Sequence, residues 1–281
     1  MLRCTRRITS VRLVRAFAAL VRLPNALMAA AGVILGAWWP RGELSGSVVA
    51  AALAAIALTA AANSWNDAAD VEIDRVAHPE RPLPSGLLSK STALALARAS
   101  AALAVLFSLL AQPYLAVLTT VLLAPISFYS PHIKRLGLPG NLTVALVASL
   151  PFLYGAWAVG RPSEGLALVA IAAPLHFARE IAKDLDDAPG DAGIRRTLPI
   201  RIGARGAHVM LLLAVLGFGL AIVPFGLSVP LFAAALAPAL LLCAFAVRLA
   251  MLGRKGSPRL LKAAMLCAML GFIVARSVAR S

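Results

Sequence analysis

The fold is decided by residues 46–74, GSVVAAALAAIALTAAANSWNDAADVEID. In this stretch an uncharged apolar run is followed at once by acidic residues. The run from 46 to 66 has the roughly 20 residues that an α-helix needs to cross a bilayer. The acidic part, 67–74, begins where the apolar run ends. This stretch therefore predicts a transmembrane helix that carries a cluster of carboxylates at one membrane face.

The composition of the whole chain is that of a membrane protein. The 281 residues are 60% hydrophobic and 14% charged, with a mean hydropathy of +0.85. Soluble domains carry about 25% charged residues, and a soluble fold of this size has too few charges here to cover its apolar surface. In lipid, helices satisfy their own backbone hydrogen bonds and apolar faces need no further cover.

Apolar runs of this length recur along the chain and predict an all-α, polytopic membrane protein with about nine transmembrane helices. No separate soluble domain is evident, so residues 1–281 form one predicted domain. The predicted segments are 16–39, 46–66, 90–110, 113–130, 140–159, 163–182, 206–225, 227–250 and 260–279.

The net charge of +15 is unevenly distributed between the two ends of these segments. One side holds most of the Lys and Arg residues, whereas the other holds only Arg41, Arg161, Arg276 and Arg280. The positive-inside rule then places the N-terminus in the cytoplasm of a cell-membrane protein. In this setting the basic loops favour anionic lipid headgroups or diphosphates as partners, rather than nucleic acid, and no protein partner is indicated.

The acidic residues are concentrated in two places. Of 12 Asp and Glu residues, all but Glu43 and Glu164 lie in 67–80 or 180–191. The spacing i, i+3, i+7 occurs in both stretches and puts three carboxylates on one face of a continuing helix. Pro189-Gly190 is predicted to end the second helix before the last of them. The two trios are Asp67, Asp70, Asp74 and Asp184, Asp187, Asp191.

Carboxylates held this closely repel each other unless a cation lies among them. Oxygen ligands with little His or Cys nearby favour Mg²⁺ over zinc. Two such clusters that face each other would hold a diphosphate between them. The alternative is that these Asp residues are solvated loop charges that pair with Arg75, Arg81, Arg179 and Lys183.

Several motifs resemble those of the UbiA superfamily of intramembrane prenyltransferases. Residues 63–75, NSWNDAADVEIDR, are similar to the family's N-D-x-x-D-x-x-x-D motif, and 81–86, RPLPSG, to its R-P-[LI]-P-S-G. Residues 179–191, REIAKDLDDAPGD, followed by 197–199, TLP, look most like the digeranylgeranylglyceryl phosphate synthase branch. This chain departs from that branch at Asp186, where Glu is usual, and at Pro189. Weaker matches are 22–25, RLPN, and Tyr129-Ser130 with Lys134-Arg135 and Gly140-Asn141.

The resemblance implies roles for individual residues. The predicted metal and catalytic residues are Asp67, Asp70, Asp74, Asp184, Asp187 and Asp191, with Asn66 as a further metal ligand. The predicted substrate-binding residues are Arg22, Asn25, Asn63, Asn66, Arg75, Arg81, Tyr129, Lys134, Lys183 and Arg195, and Arg81, Arg195 and Arg196 are candidates for a phosphate of the acceptor. Other roles stay open: Asn66 as a hydrogen-bond partner of a buried carbonyl, Arg22 as a headgroup contact, and Asn25 in helix packing.

The function implied is Mg²⁺-dependent transfer of a geranylgeranyl group from an allylic diphosphate to the hydroxyl of geranylgeranylglyceryl phosphate. Within the family, the alternatives are an aromatic acceptor such as 4-hydroxybenzoate, or a chlorin. A membrane transporter would instead place charges near the middle of the membrane. A structural or lipid-binding membrane protein has no need of two paired Asp clusters.

Overall fold

The structure, a computed structural model, describes residues 10–42, 44–132, 137–191, 197–228 and 230–278. Within these ranges α-helices are the regular secondary structure, with no β-strand, and the all-α prediction is confirmed. The helices are α1 (Ser10–Leu20), α2 (Leu23–Arg41), α3 (Gly46–Ala69), α4 (Val71–Ala77), α5 (Lys90–Ala111), α6 (Pro113–His132), α7 (Leu138–Ala158), α8 (Pro162–Asp191), α9 (Leu198–Ser228), α10 (Pro230–Met251) and α11 (Ser257–Val278).

Eight helices in the described ranges are long and apolar enough to cross a membrane: α2, α3, α5, α7, α8, α9, α10 and α11. The apolar helix α6, which is 20 residues long, lies in sequence between two of them. The prediction of about nine transmembrane helices is therefore confirmed, and the chain is a multi-pass membrane protein. The short helices α1 and α4 belong to the surface of the bundle.

The first predicted segment, 16–39, is wrong as a single helix. The chain breaks after α1, and Arg22 adopts a left-handed backbone conformation with φ 51° and ψ 56°. Pro24 explains the break, because it has no N–H to donate to the carbonyl of Leu20 and its ring clashes with that carbonyl in a continuous helix. The new helix begins with hydrogen bonds from the N–H groups of Asn25 and Ala26 to the Arg22 carbonyl, at 2.7 and 3.2 Å.

The second correction concerns the end of α8. Pro189-Gly190 was expected to end this helix before Asp191, but the backbone remains helical to Asp191. A proline removes one hydrogen bond and clashes with one carbonyl, so that it can kink a helix without ending it. The whole acidic stretch of α8 is therefore helical.

Small residues let the central helices approach each other closely. A Cβ atom on Gly155 of α7 would collide with the carbonyl oxygen of Val33 in α2, and one on Gly36 would collide with that of Phe152. Such glycine contacts are typical of helix packing in lipid, where close backbone approach supplies van der Waals attraction. The tight pairing of α2 with α7 forms one wall of the central cavity.

The short helix α1 packs over the end of α3. Its buried residues Ala16 and Leu20 belong to one apolar cluster with Ala68 of α3 and Val71 of α4. The same cluster includes Leu83, from the loop that follows α4. This cluster therefore holds the first acidic stretch, the chain break at Arg22 and the following loop together.

Candidate active site

A cavity of about 430 Å³ lies among the helices. This volume falls within the range of about 300–1,000 Å³ that is usual for small-molecule sites. Most of its wall is apolar, with Met28, Leu35, Phe152, Leu168 and Phe272 among the lining residues. Its charged and amide-bearing lining residues are Arg22, Asn25, Asn63, Asn66, Arg179, Glu180, Lys183 and Lys262. The cavity thus offers both a long apolar space and charged groups.

The first acidic cluster lies where α3 passes into α4. Asp70 is the residue between the two helices, and the backbone hydrogen bonds continue through it, from Asp70 N–H to Asn66 and from Asp74 N–H to Asp70, both at 2.9 Å. The three carboxylates are almost completely buried, at 5% exposed for Asp67, 5% for Asp70 and 2% for Asp74. Burial at this level requires that each charge be compensated.

Two arginines compensate the carboxylates at the ends of this cluster. Arg22 Nη2 donates to Asp67 Oδ1 at 2.8 Å, and Arg81 Nη1 donates to Asp74 Oδ2 at 2.6 Å. Both arginines keep about a third of their side chain exposed, and Arg22 also lines the cavity. The left-handed turn at Arg22 is therefore what brings a guanidinium group to the cluster. The sequence assigned both arginines to substrate or phosphate contacts; the alternative of pairing with an Asp residue was raised for Arg81 but not for Arg22.

The predicted asparagines have distinct positions around the cavity. Asn63 Nδ2 donates to the carbonyl of Val21 at 3.0 Å and so ties α3 to the break between α1 and α2. Asn25 Oδ1 accepts a hydrogen bond of 2.7 Å from Lys262 Nζ, which ties α2 to α11. Asn66 also lines the cavity, one residue before the first carboxylate. All three asparagines contribute to the cavity wall.

The second acidic cluster, at the end of α8, is held differently. Asp184 Oδ2 accepts hydrogen bonds from Asn141 Nδ2 at 2.8 Å and from the backbone N–H of Leu198 at 3.3 Å. Asp186 Oδ2 accepts one from the backbone N–H of Gly256 at 3.0 Å, just before α11 begins. Asp187 is exposed. Its described carboxylates are thus less buried than those of the first cluster, and neutral donors form the hydrogen bonds of Asp184 and Asp186.

One residue beside each acidic cluster lines the same cavity. Asn66, next to Asp67, and Lys183, next to Asp184, both line it. Lys183 Nζ donates to Glu180 Oε2 at 2.7 Å. The structure therefore places the predicted residues Arg22, Asn25, Asn63, Asn66 and Lys183 around one cavity, with Asp67 and Asp184 directly next to two of them in the chain.

Comparison with known proteins agrees with this architecture. The profile of the UbiA prenyltransferase family matches residues 25–274. The chain belongs to this family. It is 35% identical to a digeranylgeranylglyceryl phosphate synthase from Halobacterium salinarum, over 94% of this chain and 98% of the relative, and 34% identical to one from Methanoculleus marisnigri, over 76% and 78%.

Solved structures share the fold of this UbiA-family chain. A UbiA homologue from Aeropyrum pernix K1 superimposes with a TM-score of 0.79 at 24% identity, over 90% of this chain and 98% of the homologue. A UbiA homologue from Archaeoglobus fulgidus, bound to GPP and Mg²⁺, superimposes with a TM-score of 0.64 at 17% identity, over 95% and 100%. These similarities show that the helical bundle is the UbiA fold.

Several predicted residues lie away from the UbiA-family cavity or outside the described structure. Arg75 points outward and pairs with Glu72 at 2.7 Å, with both side chains more than half exposed, and it does not line the cavity. The side chains of Tyr129 and Asp191, and all of Lys134, Arg195 and Arg196, lie outside the described residues. Their predicted roles stay predictions.

The predicted convergence of three carboxylates on one point is not seen for the first trio, and the second trio includes Asp191, whose side chain lies outside the described residues. Among the described residues, no three His, Cys, Asp or Glu side chains form a group that could hold a metal ion. Mg²⁺ usually takes only one or two carboxylates and completes its shell with water and phosphate oxygens. The buried, all-oxygen donors Asp67, Asp70 and Asp74 match that chemistry, so the first cluster fits Mg²⁺.

Three residues of the site were not among the predicted site residues. Arg179 and Glu180 line the cavity, although the sequence suggested only a motif position for Glu180 and, for Arg179, a motif position or a pairing with Asp. Lys262 also lines it, from within the last apolar segment. A lysine inside an apolar run is itself a signal, because an intramembrane charge usually faces a cavity or a partner.

Proposed function

We propose that this UbiA-family protein is a prenyltransferase that joins a geranylgeranyl group to the free hydroxyl of geranylgeranylglyceryl phosphate. Relatives at about 35% identity over nearly the whole chain are digeranylgeranylglyceryl phosphate synthases. The product is the doubly prenylated glycerol phosphate of archaeal-type membrane lipids. The C1–O bond of the allylic diphosphate breaks, an ether bond forms between C1 and the acceptor oxygen, and diphosphate leaves.

One observation carries this proposal: the cavity is lined by many apolar residues and by a few charged ones. A long prenyl chain fits among residues such as Met28, Leu168 and Phe272, whereas a diphosphate fits beside Arg22 and Lys183. Burying the chain excludes water from the allylic carbon, which favours transfer to the acceptor over hydrolysis. Fixed positive groups beside the leaving diphosphate stabilise the negative charge that develops on it.

The residues proposed to hold Mg²⁺ are the two acidic clusters: Asp67, Asp70, Asp74, Asp184, Asp187 and Asp191, with Asn66. When bound, the metal would supply positive charge against the diphosphate oxygens. The chain's own contribution is to position these carboxylates. Arg22 and Arg81 hold Asp67 and Asp74 in place, and Asn141 orients Asp184. We assign the proton of the acceptor hydroxyl to a carboxylate of the second cluster.

The remaining substrate contacts and the orientation also belong to this proposal. Tyr129, Lys134 and Arg195 are assigned to the diphosphate or the acceptor through their motifs. We assign the N-terminus and the active site to the cytoplasmic face of the cell membrane, and the concentration of basic residues on one side supports this assignment.

The test offers purified protein, Mg²⁺ and geranylgeranyl diphosphate with two acceptors in parallel, geranylgeranylglyceryl phosphate and 4-hydroxybenzoate. We expect a doubly prenylated glycerol phosphate, detected by mass spectrometry, and no product when EDTA removes the metal. Product from the aromatic acceptor alone would assign the protein to a quinone pathway. Product from neither acceptor would contradict the proposal.

A further inference from the structure

A second group of cations lies on the cavity wall, apart from Arg22. It consists of Arg179 and Lys183 on α8 and Lys262 on α11, all of which line the cavity. Neither Lys262 nor Arg179 belongs to the ion pairs of the first acidic cluster. This second group therefore has charges that the first cluster does not compensate.

One carboxylate forms ion pairs with two of these three cations. Glu180, which is 8% exposed, accepts hydrogen bonds from Arg179 Nη1 at 3.0 Å and from Lys183 Nζ at 2.7 Å. Asp184 lies near enough to Lys183 for the two charges to interact. The group therefore holds three cations against two carboxylates, and one positive charge is in excess.

The excess is centred on Lys262. Its Nζ donates to the neutral amide oxygen of Asn25 at 2.7 Å, and the described residues show no carboxylate in an ion pair with it. The charge of Arg179 also acts on Lys262, and the two repel each other. An ammonium group has three N–H donors, of which Asn25 accepts one. A cation in a mostly apolar cavity is costly unless it faces an anion.

A phosphate monoester supplies the negative charge and the hydrogen-bond acceptors that this arrangement lacks. It carries a charge of about −1.5 to −2 near neutral pH and has three strong acceptor oxygens. The diphosphate is already assigned to Arg22 and Lys183, beside the carboxylates proposed to hold Mg²⁺. A second phosphate group in the same cavity would meet Lys262 of α11 and Arg179 of α8.

We propose that Lys262, together with Arg179, binds the phosphate of the acceptor and so selects a phosphorylated glycerol over an unphosphorylated or aromatic acceptor. This inference rests on the proposed function, because it concerns the second substrate of that reaction. It assigns acceptor recognition to α11, whereas the sequence motifs pointed to Arg81, Arg195 and Arg196.

The experiment compares Lys262→Met with the wild-type protein, since Met keeps the length of the side chain without its charge. KM for geranylgeranylglyceryl phosphate should rise about tenfold to a hundredfold, the usual effect of losing a hydrogen bond to a charged group. KM for geranylgeranyl diphosphate should stay within about twofold. With geranylgeranylglycerol, which lacks the phosphate, the variant and the wild type should perform equally.

The matched control is Arg259→Met, one turn earlier on α11. Arg259 is exposed and does not line the cavity, so this variant should have wild-type values for both substrates. Lys262→Arg keeps the charge and should recover most of the acceptor affinity. If Lys262→Met does not remain folded, as judged by its melting temperature in detergent, Arg179→Met provides the same comparison of the two KM values.

The other results would overturn the inference in distinguishable ways. A rise in KM for the diphosphate alone would show that Lys262 serves the leaving group. A lower kcat with both KM values unchanged would show that the Lys262–Asn25 contact only joins α2 to α11. A wild-type protein that does not use geranylgeranylglyceryl phosphate would refute the proposed function itself, and the inference with it.

Discussion

The two acidic clusters have identical spacing in the sequence but different surroundings in the fold. The first, at the junction of α3 and α4, is almost completely buried, and arginines neutralise two of its carboxylates. The second, at the end of α8, is partly exposed, and a side-chain amide and backbone N–H groups hold it. The spacing establishes which residues share a helix face, whereas the neighbouring elements decide how each charge is compensated.

The cause of the difference lies in what covers each helix end. The first cluster is covered by α1, by the turn at Arg22 and by the loop that carries Arg81. The second lies at the end of α8 and is met by Asn141 of α7 and by the beginnings of α9 and α11. If this contrast is functional, equal substitutions in the two clusters should have unequal effects.

The largest effect is expected for Asp67→Asn. This change removes a buried carboxylate that we assign to Mg²⁺ and leaves Arg22 without its partner. We expect kcat to fall about 10²- to 10³-fold, the usual loss for a group that stabilises developing charge, with a higher Mg²⁺ requirement in the same assay. Glu72→Gln is the control, since Glu72 is exposed on the adjacent α4. Full turnover by Asp67→Asn would mean that the first cluster is only structural.

Asp74→Asn should have the largest effect on stability. Asp74 is 2% exposed, and the loss of its charge leaves Arg81 unpaired. We expect unfolding to become easier by about 2–3 kcal/mol, less than the ~3–5 kcal/mol for a fully buried pair, because Arg81 keeps part of its side chain in water. Thermal unfolding in detergent measures the change. The double variant with Arg81→Gln should lose less than the sum of the single losses, and simple additivity would rule out coupling.

Asn141→Ala tests the second cluster through a neutral partner. Without the amide of Asn141, the longer hydrogen bond from Leu198 is the one that the described residues leave to Asp184, whose carboxylate can then rotate. Loss of such an orienting partner typically lowers metal affinity or activity about 10- to 100-fold. Titration of activity against Mg²⁺ should show a higher requirement with little change in melting temperature. Thr120→Val, at an exposed hydroxyl on α6, is the control.

The contrast between the clusters was only partly predictable from sequence. The helices follow from runs of apolar residues, and the positions of both clusters follow from where those runs end. The hydrogen-bond partners of the site residues do not follow from the sequence, because they are distant in the chain. Arg22 and Asp67 are 45 residues apart, and Lys262 and Asn25 are 237 residues apart. Helical periodicity describes neighbours within one turn or two, whereas these contacts depend on which helices pack together.

The break at Arg22 shows how a local signal was missed. The apolar composition of 16–39 favoured one continuous helix, but Pro24 interrupts it. The sequence contains this proline, but the prediction relied on the hydrophobicity of the run and left out the helix break that a proline causes. That consequence is functional, because the resulting turn carries the guanidinium group that reaches Asp67.

Asp186→Ala should have a smaller effect, limited to stability. Asp186 accepts a hydrogen bond from the Gly256 N–H at the start of α11 and does not line the cavity. Loss of such a cap typically costs about 1 kcal/mol. We expect a slightly lower melting temperature and nearly unchanged kcat and KM. A large loss of activity would instead place Asp186 among the metal-binding residues. The two clusters would then be more alike in function than their different burial and hydrogen-bond partners suggest.

Arg75→Ala should have the smallest effect, and it tests whether the site extends as far as this residue. Arg75 lies within the first motif, immediately after Asp74, and was predicted to contact substrate. Its side chain is instead 61% exposed, and within the described part of the chain it pairs with Glu72 on the same short helix. Exposed pairs of this kind contribute about 0–1 kcal/mol, so stability and both KM values should stay close to those of the wild type. A rise of tenfold or more in KM for the diphosphate would mean that Arg75 turns inward when substrate binds, and that membership of the motif predicts its role better than the position seen here.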